Sequence, residues 1–156
     1  MAINRAIVLH LLNRLDHFNE WALQHVLALV CRHDPADEEE AFAFMNLLDP
    51  VLRTSNSGAV LAACKCFLHL SAGMPDLQPQ VFERMKAPLL TLMAGGGPEL
   101  VFCVLKHVEA LVHRCPGVFD DEYRQFYMRY NEPTHVKYGK VDILSLLASP
   151  QNLQEV

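Results

Sequence analysis

Eight histidines and five cysteines in a 156-residue chain are enough to hold a metal ion or to run thiol chemistry. The densest group is Cys64-x-Cys66-x-x-His69. It lies in an apolar run with helical spacing, where side chains two residues apart point about 200° from one another at ~3.6 residues per turn. Cys64 and Cys66 therefore diverge and cannot converge on one tetrahedral zinc ion. Cys31-x-His33 and His113-x-Cys115 fall at the ends of helical blocks and have no second pair at finger-like spacing. His33 and His113, near helix C-termini, would complement the helix dipole when protonated. A catalytic Cys/His pair need not be adjacent in sequence. No Gly-x-Ser-x-Gly elbow is present, however, and no strand to carry a nucleophile.

Two further groups invite chemistry and fit plainer roles. Gly95-Gly96-Gly97 is followed by Pro98-Glu99 instead of the Lys-Ser/Thr that a phosphate-cradling loop requires, so it reads as a turn between helices. The acidic run Asp37 to Glu40 reads as a solvated helix start: Asp37 can cap the first turn, and three glutamates meet the positive end of the dipole. The single Trp21 reads as a core residue. The expectation is of no catalytic residue, no metal ligand and no cofactor, with a His/Cys metal-dependent or thiol enzyme kept as the alternative.

The elements that would position these residues are helices throughout. Ile3, Ile7, Val8, Leu11, Leu12 and Leu15 form one stripe, and Ala22, Leu23, Val26, Leu27 and Val30 form the next. A third block runs from Asp37 to about Arg53 with Phe42, Met45, Leu48 and Leu52 on one side, shortened near its end by Pro50. The fourth carries Val60, Leu61, Cys64, Phe67 and Leu68 and stops at Ala72-Gly73-Met74-Pro75. Pro79 opens the fifth, with Val81, Met85, Leu89 and Leu92 inward and a break expected at Pro88. Val101, Val104, Leu105, Val108, Leu111 and Val112 make the sixth and clearest stripe. A short aromatic block spans Phe119 to Met128, an eighth spans Pro133 to Ala148, and Ser149-Pro150 reads as the start of a ninth. No stretch alternates with period two, so strands are not expected.

Short connections between the blocks predict antiparallel pairs, and the pairs begin near Asp37, Pro79 and Val118, about 40 residues apart. That spacing predicts an all-α solenoid of stacked helix hairpins of the HEAT/armadillo type, residues 1–156 being one segment and an excerpt of a longer array. Such a stack holds other proteins on its exposed surfaces.

Composition agrees. Half of the chain is apolar and a fifth is charged, as in ordinary globular chains. The net charge of −5 gathers at the front, where residues 1–50 carry three Arg against eight acids. No basic surplus exists for nucleic acid. The odd cysteine count inside apolar runs reads as reduced, buried thiols of a cytoplasmic protein. No apolar run approaches the ~20 residues of a membrane span, and residues 1–15 lack the cleavage site of a signal peptide.

The most distinctive stretch is Glu122 to Lys140. Tyr123, Arg124, Tyr127, Arg129, Tyr130, Lys137, Tyr138 and Lys140 are its candidate partner contacts, because Tyr and Arg are enriched where proteins meet. Aromatic packing between two short helices is the competing role for about half of these tyrosines.

Here the chain resembles a known family. Tyr130-Asn131-Glu132-Pro133, then Val136-Lys137 and Leu144 to Ala148, are similar to the trunk of β-adaptins, the large β subunits of vesicle adaptor-protein complexes. Pro88-Leu89-Leu90-Thr91-Leu92, Pro98-Glu99-Leu100, and Asn56-Ser57 with Val60-Leu61-Ala62 carry the same resemblance, which runs from about Asn13 to Val156 and is strongest to the β subunit of the fourth adaptor complex. Glu132 stands where the family favours Asp, and Thr134-His135 replaces bulkier residues. No Pro/Ser-rich hinge and no clathrin-type motif is present, so clathrin recruitment is not implied. The resemblance implies a non-catalytic scaffold without cofactors. Its partners would be the medium subunit's N-terminal domain and the other large adaptor subunit, with no nucleic acid. It would associate peripherally with trans-Golgi network and coated-vesicle membranes through the assembled complex, which sorts cargo for vesicle-mediated transport. A generic HEAT scaffold outside membrane traffic is the remaining alternative.

Overall fold

The computed structural model describes residues 4–148. Ile3 of the first stripe and the ninth helix expected at Ser149-Pro150 lie outside the described residues. Among those residues all regular structure is helical, without strands. The α-helices are α1 (Arg5–Leu12), α2 (Glu20–Val30), α3 (Glu38–Leu48), α4 (Ser57–Leu70), α5 (Gln78–Gly95), α6 (Pro98–Arg114) and α7 (Thr134–Leu147). Tighter 3-10 helices occupy Leu15–His17, Asp49–Arg53 and Asp120–Phe126. None of the helices is long and apolar enough to cross a membrane.

The chain divides into two compact units, Met1–Val81 and Phe82–Val156. In the first, α2 packs chiefly on α4, and α1 on α3. Packing between helices two apart in sequence is what piling one hairpin on the next requires. In the second, α6 packs chiefly on α7, and α7 also packs on the Asp120–Phe126 segment.

Helix starts follow local chemistry. Asn4, Asn19, Asp37 and Asn56 each accept a hydrogen bond from the backbone N–H three residues on, at 2.7–3.0 Å, and so satisfy donors that the helix leaves unpaired. Gly97 and Pro98 open α6.

At the start of α3 the acidic run is not wholly solvated. Glu40 is 2% exposed and turns back to accept from the Ala36 N–H at 2.8 Å, while its other oxygen meets His33 Nε2 at 3.2 Å. With Asp37 reaching forward to the Glu40 N–H at 2.7 Å, the two carboxylates cap the same helix end from both sides, close to a capping box. A Glu three residues after an Asp was the available signal.

Several other expectations are corrected. Trp21 is 81% exposed, not core, because the buried stripe of α2 is Leu23, Val26, Leu27 and Val30, and Trp21 lies on the opposite side. In α3 the inward aromatic is Phe44, fully buried, and Phe42 is only partly covered. Pro88 does not break α5, which runs through it to Gly95. Met85 and Leu89 on either side are fully buried, and their packing carries the helix past the missing N–H. Pro50 does end α3: the helix stops at Leu48, and the proline sits in the first turn of a 3-10 helix, where it needs no donor. The block around Phe119–Met128 is 3-10, not α. Its ends are pinned by fully buried Phe119 and Phe126, edge to face at 5.9 Å, with acids between them. Gly117 enters this segment at φ 98°, a conformation suited to glycine. Of the cysteines expected to be buried, only Cys64 and Cys66 are, while Cys103 is exposed.

At the turn between α5 and α6, a Cβ on Gly96 would stand 2.6 Å from the Leu92 carbonyl oxygen, whereas one on Gly95 would meet nothing within 4 Å. Gly96→Ala is expected to lower stability by about 1–3 kcal/mol, since backbone must move to admit it. Gly95→Ala, in a helical position with open space, is expected to raise it by about 0.5–1 kcal/mol. Urea unfolding of the two variants should shift the midpoint in opposite directions.

Candidate functional site

The residues from Tyr123 to Lys140 are brought together by α7. This helix buries Val136, Gly139, Lys140, Ile143, Leu144 and Leu147, a stripe with helical repeat that faces α6. Gly139 permits the approach, as a Cβ there would be 3.1 Å from Leu105 Cδ1. Lys140 is the odd member of the stripe. It is 3% exposed, and a buried ammonium must be paired and hydrogen-bonded. Its Nζ donates to the Glu132 carboxylate and to the Tyr127 carbonyl at 3.2 Å.

Glu132 joins loop and helix. One carboxylate oxygen accepts from Lys140, and the other accepts from the Arg129 N–H at 2.9 Å. Burial raises the Glu132 carboxyl, but the Arg129 N–H, the Lys140 hydrogen bond and the charges of Lys140 and Arg129 outweigh it and hold the group below its ordinary value of 4.5. Lys137, one turn before Lys140, donates to the Tyr130 carbonyl at 2.8 Å. Two lysines of α7 thus hold the loop from Tyr127 to Glu132 by its backbone carbonyls and by one carboxylate.

The fixed loop displays its side chains. Tyr130 is 99% exposed, and the Lys137 ammonium lies 5.8 Å from its ring centroid. Tyr138 is 68% exposed on the outer face of α7. Tyr123 and Tyr127 meet edge to face at 6.1 Å. Arg124 Nε donates to the Tyr123 hydroxyl at 3.1 Å, which orients that cluster. Arg129 is exposed in the loop. A shallow cleft of about 180 Å³ opens beside it, lined in part by Met93, Gly96, Arg129, Asn131, Glu132 and Pro133.

Of the eight residues singled out from sequence, Lys140 therefore lies inside, as a support for the loop. The other seven lie at or near the surface, in a Tyr123–Arg124–Tyr127 cluster, a Tyr130–Lys137 pair, and Arg129 and Tyr138 as separate exposed groups. Met128, Val141 and Leu146 are also exposed and were not singled out. Val141 and Leu146 follow Tyr138 on the side of α7 away from its buried stripe, and the helical repeat of that stripe was the signal that places them. Among the described residues no group of three or more His, Cys, Asp or Glu side chains could hold a metal ion.

Removal of the Glu132 charge tests the support. Glu132→Gln leaves the Lys140 ammonium buried without its counter-charge and is expected to cost about 2–3 kcal/mol at pH 7, somewhat below a fully buried pair because Glu132 is partly exposed. The folded value of Glu132 is depressed, so its stabilisation is complete above 4.5 and is lost as pH falls through the lower folded value. The stability gap between the unaltered chain and Glu132→Gln should therefore close on acidification below 4.5, as read by urea unfolding across pH.

Comparison with known proteins follows the same residues. The family profile for the adaptin N terminal region matches residues 1–156. Beta-adaptin-like protein A of Arabidopsis thaliana is 40% identical over 154 residues, covering 99% of this chain and 18% of that protein. AP-4 complex subunit beta-1 of Mus musculus is 39% identical over 156 residues, covering 100% and 21%. AP-4 complex subunit beta of Dictyostelium discoideum is 37% identical over 150 residues, covering 96% and 18%. The chain spans about a fifth of the length of the curated relatives it matches.

Proposed function

The chain belongs to the adaptin family, and from that premise we propose that it is a scaffold segment of the β large subunit of a vesicle adaptor complex of the fourth type. It does no chemistry. It holds the N-terminal domain of the medium subunit and elements of the other large subunit, and through the assembled complex it serves cargo sorting at the trans-Golgi network. Membrane association is peripheral.

The observation that carries this reading is the exposure of Tyr130 on its held loop and of Tyr138 on α7. Tyrosines supply large contact area with few rotatable bonds, and they are common where binding energy concentrates. Here Tyr130 projects from a loop held by Lys137 and Lys140, and Tyr138 from helix α7, so little order has to be imposed when a partner docks. The similarity to β subunits named for the AP-4 and AP-1 complexes supports the same role. The helical solenoid class expected from the repeat spacing is that of the family. Nothing in the charge distribution favours nucleic acid.

Capture of the 156-residue chain by the N-terminal domain of a medium subunit of the fourth adaptor complex is the direct test. Binding is expected, and Tyr130→Ala with Tyr138→Ala is expected to weaken it by about tenfold or more. Both side chains are largely exposed, so circular dichroism and the melting temperature should not change. A folded chain that shows no capture overturns the proposal.

A further inference from the structure

In the first unit, the end of α2 meets the middle of α4 through two sulfur atoms. Cys31 caps the C-terminus of α2, and Cys66 lies on the buried face of α4. Their Sγ atoms are 2.9 Å apart. We propose that Cys31 and Cys66 are a peroxide-oxidised dithiol, a reversible disulfide site that ties α2 to α4.

The geometry divides the work between the two thiols. Cys31 is only partly buried, so a small oxidant reaches it, while Cys66 is fully enclosed, its Sγ 3.2 Å from the Leu27 carbonyl oxygen. A disulfide needs about 2.05 Å between sulfurs, so bond formation requires less than about 1 Å of approach. Cys64 does not compete. It points about 200° away on the same helix, and burial pushes its thiol up to about 12. The Cys66 thiol hydrogen-bonds the Cys31 sulfur, and this, against the opposing effect of burial and aided by the Lys65 charge, holds Cys31 below its ordinary value. Cys66 is pushed up, first by the same contact and then by burial. Cys31 is thus the nucleophile and Cys66 the resolving thiol.

The steps balance. The Cys31 thiolate attacks one oxygen of hydrogen peroxide; the O–O bond breaks, hydroxide leaves, and Cys31 becomes a sulfenic acid. Cys66 then attacks the Cys31 sulfur; the S–S bond forms, the S–O bond breaks, and the departing hydroxide takes the Cys66 proton to give water. Peroxide receives the two electrons that the thiols lose. The product closes a loop between positions 35 apart and restricts the unfolded chain, so the oxidised form should melt several degrees higher.

Hydrogen peroxide titrated into the 156-residue chain tests this, with exposed Cys103 on α6 as the internal reference. Peroxide is raised until Cys103 reacts; the remaining thiols are then alkylated and the peptides mapped by mass spectrometry. The expected result is a Cys31–Cys66 linked peptide about 2 Da lighter than the two thiol peptides together. Dithiothreitol should reverse it, and the melting temperature should rise with its formation. Cys31→Ser should abolish the link, and Cys66→Ser should leave a Cys31 sulfenic acid that dimedone traps. If Cys103 is oxidised while Cys31 and Cys66 both remain alkylatable, the proposal fails. It fails equally if Cys31 proceeds to sulfinic acid or links elsewhere. Should Cys66→Ser not fold, the unaltered chain and Cys31→Ser still decide the outcome.

Discussion

The apolar stripes of these helices have to be covered by other helices, and the rest of the structure depends on that burial. α2 finds its main cover on α4, and α6 finds its cover on α7, across the Asp120–Phe126 segment. The six inward residues of α6 and the six of α7 recur at helical spacing, so each helix has one face to hide and one to show. Hydrophobic burial at about 25 cal/mol per Å² is non-directional. The capped helix starts and the glycine at the α5–α6 turn convert it into a defined arrangement.

That arrangement also decides what each surface group can do. In the Tyr123–Lys140 stretch, packing of α7 on α6 places one lysine inside. The charge is kept there only because Glu132 and the Tyr127 carbonyl surround it. A buried charge of this kind adds little net stability compared with an apolar side chain of similar size, but loss of its partner is costly. Its effect here is positional: it fixes the loop, and the loop fixes where Tyr130 stands. A binding surface built on such a support needs no catalytic geometry and no cofactor, in keeping with the non-catalytic scaffold proposed for this adaptin chain.

The same helix contacts bring sulfur to sulfur in the other unit. Cys31 and Cys66 are far apart in the chain and lie on different helices, and they meet because α2 and α4 cover one another. Inspection of Cys64-x-Cys66-x-x-His69 as a local motif looks for partners along one helix, where the geometry of the α-helix forbids convergence. The contact that formed is with a residue on another helix, which no local spacing could display.

The all-helical class, the stripes of α2 and α6, the cap at Asp37, and the turn at Gly95-Gly96-Gly97-Pro98 were legible in the residues themselves, because periodicity and capping act within a few positions of the chain. So was the stretch from Tyr130 to Lys137, whose types and order carry the family resemblance. Position 140 was legible in principle, since it falls on the α7 stripe four residues after Val136 and three before Ile143. The exposure of Trp21, the burial of Glu40, the continuity of α5 through Pro88 and the meeting of Cys31 with Cys66 were settled only in three dimensions. Glu40 is fixed by His33 and the Ala36 N–H close by, whereas the two cysteines meet only because helices far apart in the chain pack together.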